Sequence, residues 1–330
     1  MIKSNIKASP FIHGSENALN LHLDLLIGLL SVMIISVVQN GLRALTLCLF
    51  SALTAWLTEK IGLIIVGREK STDLRSLAMG LIIAMLCPVT VPLWLPISAS
   101  FISVLFVRVI LGPNFKNLFL TPVIAWIFML TVAPEEMTSY AVDVSFGTFS
   151  PFENINNDFY VTADSIAQQL QLKKELSYSF LDILTGNYPG GLGTTCIFII
   201  LGVCVYFIFR RSMAWQVSLS MIITVAIFAL LINRTTQSPL FSVLYELSAT
   251  SYIFVAVFVA GDIINAPSVT GAKIVYGVLI GVLTMAFRYL GFAEHCVLLS
   301  LFICNFFCEL LDVLFLYLQI YYLRKRMIKR

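Results

Sequence analysis

The sequence predicts an all-α polytopic membrane protein of about ten transmembrane helices. Three observations carry this. The 330 residues are 59% hydrophobic and only 12% charged, and the mean hydropathy is +0.92, well outside the habits of soluble domains. A spanning helix needs ~20 mostly apolar residues, and about ten such runs follow one another along the chain. Finally, stretches such as LFSALTAWL, IIAMLCPVTVPLWL and VYGVLIGVLTMAF are continuously apolar, whereas the strands of a membrane barrel alternate. Lipid leaves helices and closed barrels as the structures that satisfy their own backbone, so helices are the reading.

Taken in order, the runs place spans at 21–39, 42–57, 76–92, 93–111, 117–133, 196–209, 213–232, 240–260, 274–290 and 296–321. IGLIIVG at 61–67 is too short to cross and reads as an interfacial or re-entrant piece. The first twenty or so residues are polar and the first apolar run is followed by nine more, so the first helix is expected to act as its own insertion signal.

Lys and Arg set the orientation. With the N-terminus in the cytoplasm, fifteen of the 21 basic residues fall in inside segments, which is the positive-inside pattern. The one long loop, about 134–195, instead carries Glu135, Glu136, Asp143, Glu153, Asp158, Asp164, Glu175 and Asp182 against Lys173 and Lys174. Both termini are therefore expected in the cytoplasm and this loop outside the membrane. The basic tail YYLRKRMIKR is suited to anionic lipid headgroups rather than nucleic acid. The seven cysteines lie in or beside apolar runs without a CxxC pair, as small apolar helix residues do. Cys304 and Cys308, at i and i+4, together with Cys296, are the set a metal could recruit.

The loop divides the helices five and five, giving a first half at 1–133, an outer loop at 134–195 and a second half at 196–330. An odd number of spans starts the second half on the opposite side, which is the arrangement of an inverted repeat. Working sites in such repeats lie where helices are interrupted, and the candidates are Pro88 and Pro92 in CPVTVP, LGPNFKN at 111–117, and GDIINAP at 261–267. Asp262 and Asn265 add polar side chains at the last of these; as a simple surface carboxylate, Asp262 has Lys273 as its natural partner. Arg288, late in its run, is placed to snorkel to the surface. Asn305 and Asp312 lie seven apart on one helix face, and Asn305 is deep enough to need an interior partner.

These residues resemble a known family. GDIINAPSVTGAKIVYGVLIGVLTMAFRYLGF, with Asn305 and Asp312 beyond it, is similar to the last two helices of the NqrB/RnfD family, membrane subunits of the sodium-pumping NADH:quinone reductase and of the Rnf electron-transport complex. Asp262, Pro267, Lys273 in an Arg position, Tyr276, Gly277, Gly281, Arg288, Asn305 and Asp312 follow the family order without a gap. GNYPGGLGTTC resembles the family's PGSIGETS turn, SPFIHGS its SPHIRS start, and STDLRSLAMGLIIAMLCP its third helix, so the likeness spans nearly the whole chain. LGPNFKNLF is a looser echo of a family loop. Chain length suits RnfD better than NqrB.

One departure bears on the cofactor. The resemblance implies FMN joined by a phosphoester to the last Thr of an (S/T)GAT sequence in the outer loop, a bond that needs a hydroxyl. Counting back from the PGG turn aligns this motif with SIAQQL, putting Ser165 first and Gln168 in place of the Thr, with Thr162 nearby. Gln forms no such ester, so FMN or riboflavin is expected to be noncovalent. Thr162, Ser165, Gln168, Asp262, Arg288 and Asn305 are the candidate cofactor-binding residues. The resemblance implies a subunit of an Rnf/Nqr-type translocase, working beside other membrane and redox subunits in a bacterial cytoplasmic membrane to couple electron transfer to sodium or proton movement. Two other readings stay open: a urea-transporter-like solute channel that has lost the flavin site, and an anchor for a neighbouring flavoprotein. His13, His22 and His295 are scattered and there is no nucleophile triad or Gly-rich phosphate loop, so the expectation is a subunit of a translocase rather than a self-contained enzyme.

Overall fold

The computed structural model describes residues 18–67, 74–112, 120–141, 162–172, 176, 178–235, 238–294 and 296–328. The sequence features at SPFIHGS, 113–119 of LGPNFKNLF, Asp143, Glu153, Asp158, Lys173, Lys174, Glu175 and His295 lie outside them.

Each predicted apolar run holds helix within the described residues. The first half holds α1 (Ala18–Asn40), α2 (Leu42–Val66), α3 (Arg75–Leu86), α4 (Trp94–Val104, continuing as π-helical Leu105–Leu111) and α5 (Thr121–Val132). Small elements follow: α6 (Pro134–Thr138), the antiparallel pair β1 (Tyr140–Ala141) and β2 (Thr162–Ala163), α7 (Ile166–Gln171) and α8 (Phe180–Thr185). The second half holds α9 (Ile197–Arg210), α10 (Trp215–Leu231), α11 (Pro239–Ser248), a 3-10 turn at Ala249–Ser251, α12 (Tyr252–Phe254, continuing as π-helical Val255–Val259), α13 (Thr270–Tyr289) and α14 (Cys296–Ile328). Among the described residues, six helical stretches are long and apolar enough to cross a membrane and four more are shorter and apolar. The chain is a multi-pass membrane protein.

Three predicted spans are corrected. IGLIIVG is no separate segment but the last turns of α2, which ends only at Gly67, left-handed at φ 71° and donating to Ile64 and Leu63 carbonyls. Glu59 and Lys60 look like a helix end in the sequence, yet Glu59 is 2% exposed because Arg108 and Ser76 bond its carboxylate. The run at 76–92 stops as helix at Leu86, since Pro88 has no N–H and pushes Cys87 out of the helical region, to ψ 149°. The run at 240–260 is two helices rather than one, broken where Thr250 and Ser251 adopt left-handed φ of 55° and 58°.

The packing is close at small residues. On α13, Gly277 and Gly281 face Ser220 and Thr224 of α10, where a Cβ has no room; on α3, Gly80 meets the Ser51 carbonyl and Ala52 of α2. Without a hydrophobic drive between helices in lipid, such close approach supplies the association. The core is densest around α12 and its π-helical extension, where Tyr252, Phe254 and Phe258 are fully buried.

Candidate functional site

Two polar clusters sit at opposite ends of this buried stretch. One adjoins the 134–195 segment. The other lies at its far end, where Gly261 and Asp262 follow.

The break at the near end has a clear cause. Glu246, alone in an apolar run, pairs with Arg288 of α13 at 2.7 Å, and the same guanidinium donates to the Glu246 carbonyl at 2.7 Å, the Ala249 carbonyl at 3.1 Å and Thr250 Oγ1 at 2.7 Å. Arg288 thus takes up the carbonyls that α11 leaves free at its C-terminus while stacking over the Tyr252 ring at 5.6 Å. The expectation that Arg288 snorkels is overturned: at 3% exposure it is buried, drawn inward by Glu246. Arg43 treats the other interruption in the same way, its Nε and Nη2 donating to the Val89 and Val91 carbonyls at 2.8 and 2.9 Å. The PGG turn finishes α3 by donating from Leu192 N to Cys87 O and from Gly193 N to Met85 O. Gly191 suits the turn, since a Cβ there would crowd the Leu86 and Met85 carbonyls at 3.0 and 3.2 Å.

Against these interruptions rests α7. Ser165 is its N-cap in a full capping box with Gln168: Gln168 N donates to Ser165 Oγ at 3.2 Å and Ser165 N donates to Gln168 Oε1 at 3.0 Å. Ser165 Oγ in turn donates to Glu294 Oε1, and Tyr140 OH donates to Glu294 Oε2 at 3.2 Å. Burial pushes the Glu294 carboxyl above its ordinary range, opposed by the bonds from Ser165 and Tyr140 and by the Arg288 charge. Tyr140, Ser165, Tyr188, Gly190, Gly191, Thr194, Ser248–Ser251 and Glu294 surround a small cleft.

At the far end Asp262 accepts from Arg75 Nη2 at 2.7 Å, Asn265 Nδ2 at 3.0 Å and Ile264 N at 3.2 Å, while Arg75 also donates to Asn265 Oδ1 at 2.8 Å. The ion partner is Arg75 from the first half, not Lys273 as the sequence suggested: Arg75 begins α3 and lies buried against the loop. Asp262 also pairs in a β-bridge with Met213. A second cleft here is lined by His22, Ser212, Val257, Gly261 and Asp262. Asn305 finds its interior partner in Tyr276, whose hydroxyl donates to its Oδ1. Asp312 performs a separate task, accepting from Ser268 N and Val269 N to cap α13.

The six sequence candidates therefore divide. Ser165 and Gln168 lie at the near cleft, with Thr162 beside them in the ladder to Ala141; Arg288 lies beneath it, whereas Asp262 and Asn305 belong to the opposite part of the molecule. Sequence reasoning missed Glu246, Glu294, Tyr140, Tyr188 and the Glu59–Arg108 pair at 2.5 Å. A lone Glu within an apolar run was the available signal for Glu246. At the position aligned with the family motif, the described residues do not fit a phosphoester-linked flavin. Gln168 has no hydroxyl, and the nearest one, on Ser165, is 5% exposed and engaged on both sides. Among the described residues, no three of His, Cys, Asp or Glu converge on a metal position.

Comparison with known proteins agrees with the sequence. The family model described as the NQR2, RnfD, RnfE family matches residues 5–318. The chain is 24% identical over 335 residues to the D-type subunit of the ion-translocating oxidoreductase complex of Haemophilus ducreyi, covering 92% of this chain and 95% of that one. It is 24% identical over 295 residues to the D-type subunit of the Na(+)-translocating ferredoxin:NAD(+) oxidoreductase complex of Acetobacterium woodii, covering 88% and 87%. To the B-type subunit of the Na(+)-translocating NADH-quinone reductase of Chromohalobacter salexigens it is 27% identical over 256 residues, covering 75% of this chain and 58% of that one. With a match that runs through both halves and both interrupted helices, this chain belongs to the NQR2, RnfD, RnfE family.

Proposed function

We propose that the chain is the D-type membrane subunit of an ion-translocating electron-transfer complex, seated among other membrane and redox subunits in a bacterial cytoplasmic membrane. The observation that carries this is the match to the D-type relative from Haemophilus ducreyi, at 92% and 95% coverage; the match to the B-type relative covers 75% and 58%. Both termini lie in the cytoplasm and the 134–195 segment outside, supported by the placement of Lys and Arg. The halves form an inverted repeat, supported by their packing order: α2 packs on α3 and α4, and α4 on α5, as α10 packs on α11 and α13, and α13 on α14.

Ions cross beside α12, between the two clefts that its ends border. Arg288 and Arg75 hold these ends in register from the two sides. A flavin held by this chain is held without a covalent bond, because the motif position carries Gln168. Positioning and electrostatics are what such a protein supplies to a redox group. The test is donor-driven ion uptake by membrane vesicles in which the chain is deleted and then restored. Uptake that returns with the wild type supports the reading. Uptake that persists without the chain contradicts it.

A further inference from the structure

The cleft beside α7 has a chemistry of its own. Among the described residues, no lining side chain carries nitrogen or sulfur; Tyr140, Ser165, Tyr188, Thr194, Thr250 and Glu294 present only oxygen. The carboxylate is fixed by two hydroxyl donors, Ser165 and Tyr140, which leaves lone pairs on all three groups. Among the described residues Tyr188 Oη is buried and without a hydrogen-bond partner, and a buried hydroxyl left so is costly unless something fills the space beside it. Arg288, whose field reaches Glu294, is turned toward Glu246 at 2.7 Å, a carboxylate that Arg234 shares at 3.4 Å. The cleft has room for about one water-sized occupant, and all-oxygen surroundings with a carboxylate suit a hard cation.

We propose that this cleft binds a single sodium ion at the loop end of the molecule, with the Glu294 carboxylate as its counter-charge and the hydroxyls of Tyr188, Thr194 and Thr250 among its oxygen ligands. The proposal rests on the reading of the chain as an ion-translocating subunit and assigns a stopping point on that route. Glu294 is also a position where a proton competes with the ion, since burial favours its neutral form; the titratable and charged groups around it are Tyr140, Tyr188, Arg288 and, through Thr250, Cys296.

The test is equilibrium binding of radioactive sodium to the full-length protein in nanodiscs, with choline as the inert cation. Wild type should bind saturably. Glu294→Gln should weaken binding about tenfold or more, as loss of the only formal charge in the shell requires, and Tyr188→Phe by a smaller factor. Glu135→Gln, an exposed acid of α6, should bind as wild type. Tyr188→Phe keeps the carboxylate and its donors, so it remains informative if Glu294→Gln does not fold. Absence of saturable binding in wild type, or equal binding in Glu294→Gln, means the cleft holds water or a proton and overturns the proposal. Co-purification of Glu294→Gln with its complex, measured in parallel, reports on the subunit assignment separately.

Discussion

Asp262→Ala tests the junction between the halves. The carboxylate accepts three hydrogen bonds, one of them the 2.7 Å ion pair, and both side chains of that pair are less than a tenth exposed. Removing one member of a buried pair costs about 3–5 kcal/mol. Asn265 still accepts from Arg75, which places the loss near the lower end, about 3 kcal/mol. In a chain of this size that lowers the unfolding midpoint by roughly 5 °C or more. Glu135→Ala, on an exposed turn, should stay within about 0.5 kcal/mol of wild type. Tryptophan fluorescence during heating in nanodiscs reads the transition, with Trp215 two residues beyond the Met213 bridge partner of Asp262. A double-mutant cycle with Arg75→Ala should return a coupling of about 1–3 kcal/mol. Zero coupling, with Asp262→Ala as mild as Glu135→Ala, would mean that Asp262 is merely a solvated surface acid and that no buried pair joins the halves.

Arg288→Lys should destabilise by about 2 kcal/mol in the same assay, because an ammonium cannot reach the four acceptors that the guanidinium spans. Gly277→Ala should cost about 1–3 kcal/mol through pressure on Ser220 and the Val217 carbonyl, while Gly202→Ala, which meets open space, should be neutral or better; equal behaviour of the two would contradict the close α10–α13 contact. In sodium-free buffer, Glu294 has a folded-state pKa above its ordinary 4.5, so its contribution to stability is full below that value and is lost as pH rises through the raised one. Thermal midpoints of wild type should therefore fall relative to Glu294→Gln between acid and neutral pH, and parallel curves would count against a buried carboxyl.

Hydropathy reveals where helices lie because the bilayer enforces it on every lipid-facing residue, and each of the ten runs holds a helix. It is blind to what happens inside the bundle. The sequence of α11 and α12 reads as one span because Thr250 and Ser251 are unremarkable in composition; their left-handed backbone is imposed by Arg288, 38 residues beyond Thr250. Likewise Glu59 and Lys60 suggest an end to α2, and Ser76 and Arg108, 17 and 49 residues on from Glu59, remove the reason to stop. Asp262 was legible as a polar residue in an odd place, but its partner lay in the other half of the chain. The resemblance drew attention to Ser165 and Gln168 as a motif position, and the capping box that joins them emerges only in the structure; Glu294 was hidden, since one acid in a short turn has no local pattern. Long-range ion pairs decide each of these points, and periodicity carries no record of them.

If the chain works as one subunit among redox partners, affinity isolation from native membranes under mild detergent should bring other membrane and redox subunits with it, and the isolate should transfer electrons from donor to acceptor. A chain that emerges alone and carries a small solute into liposomes would contradict that role.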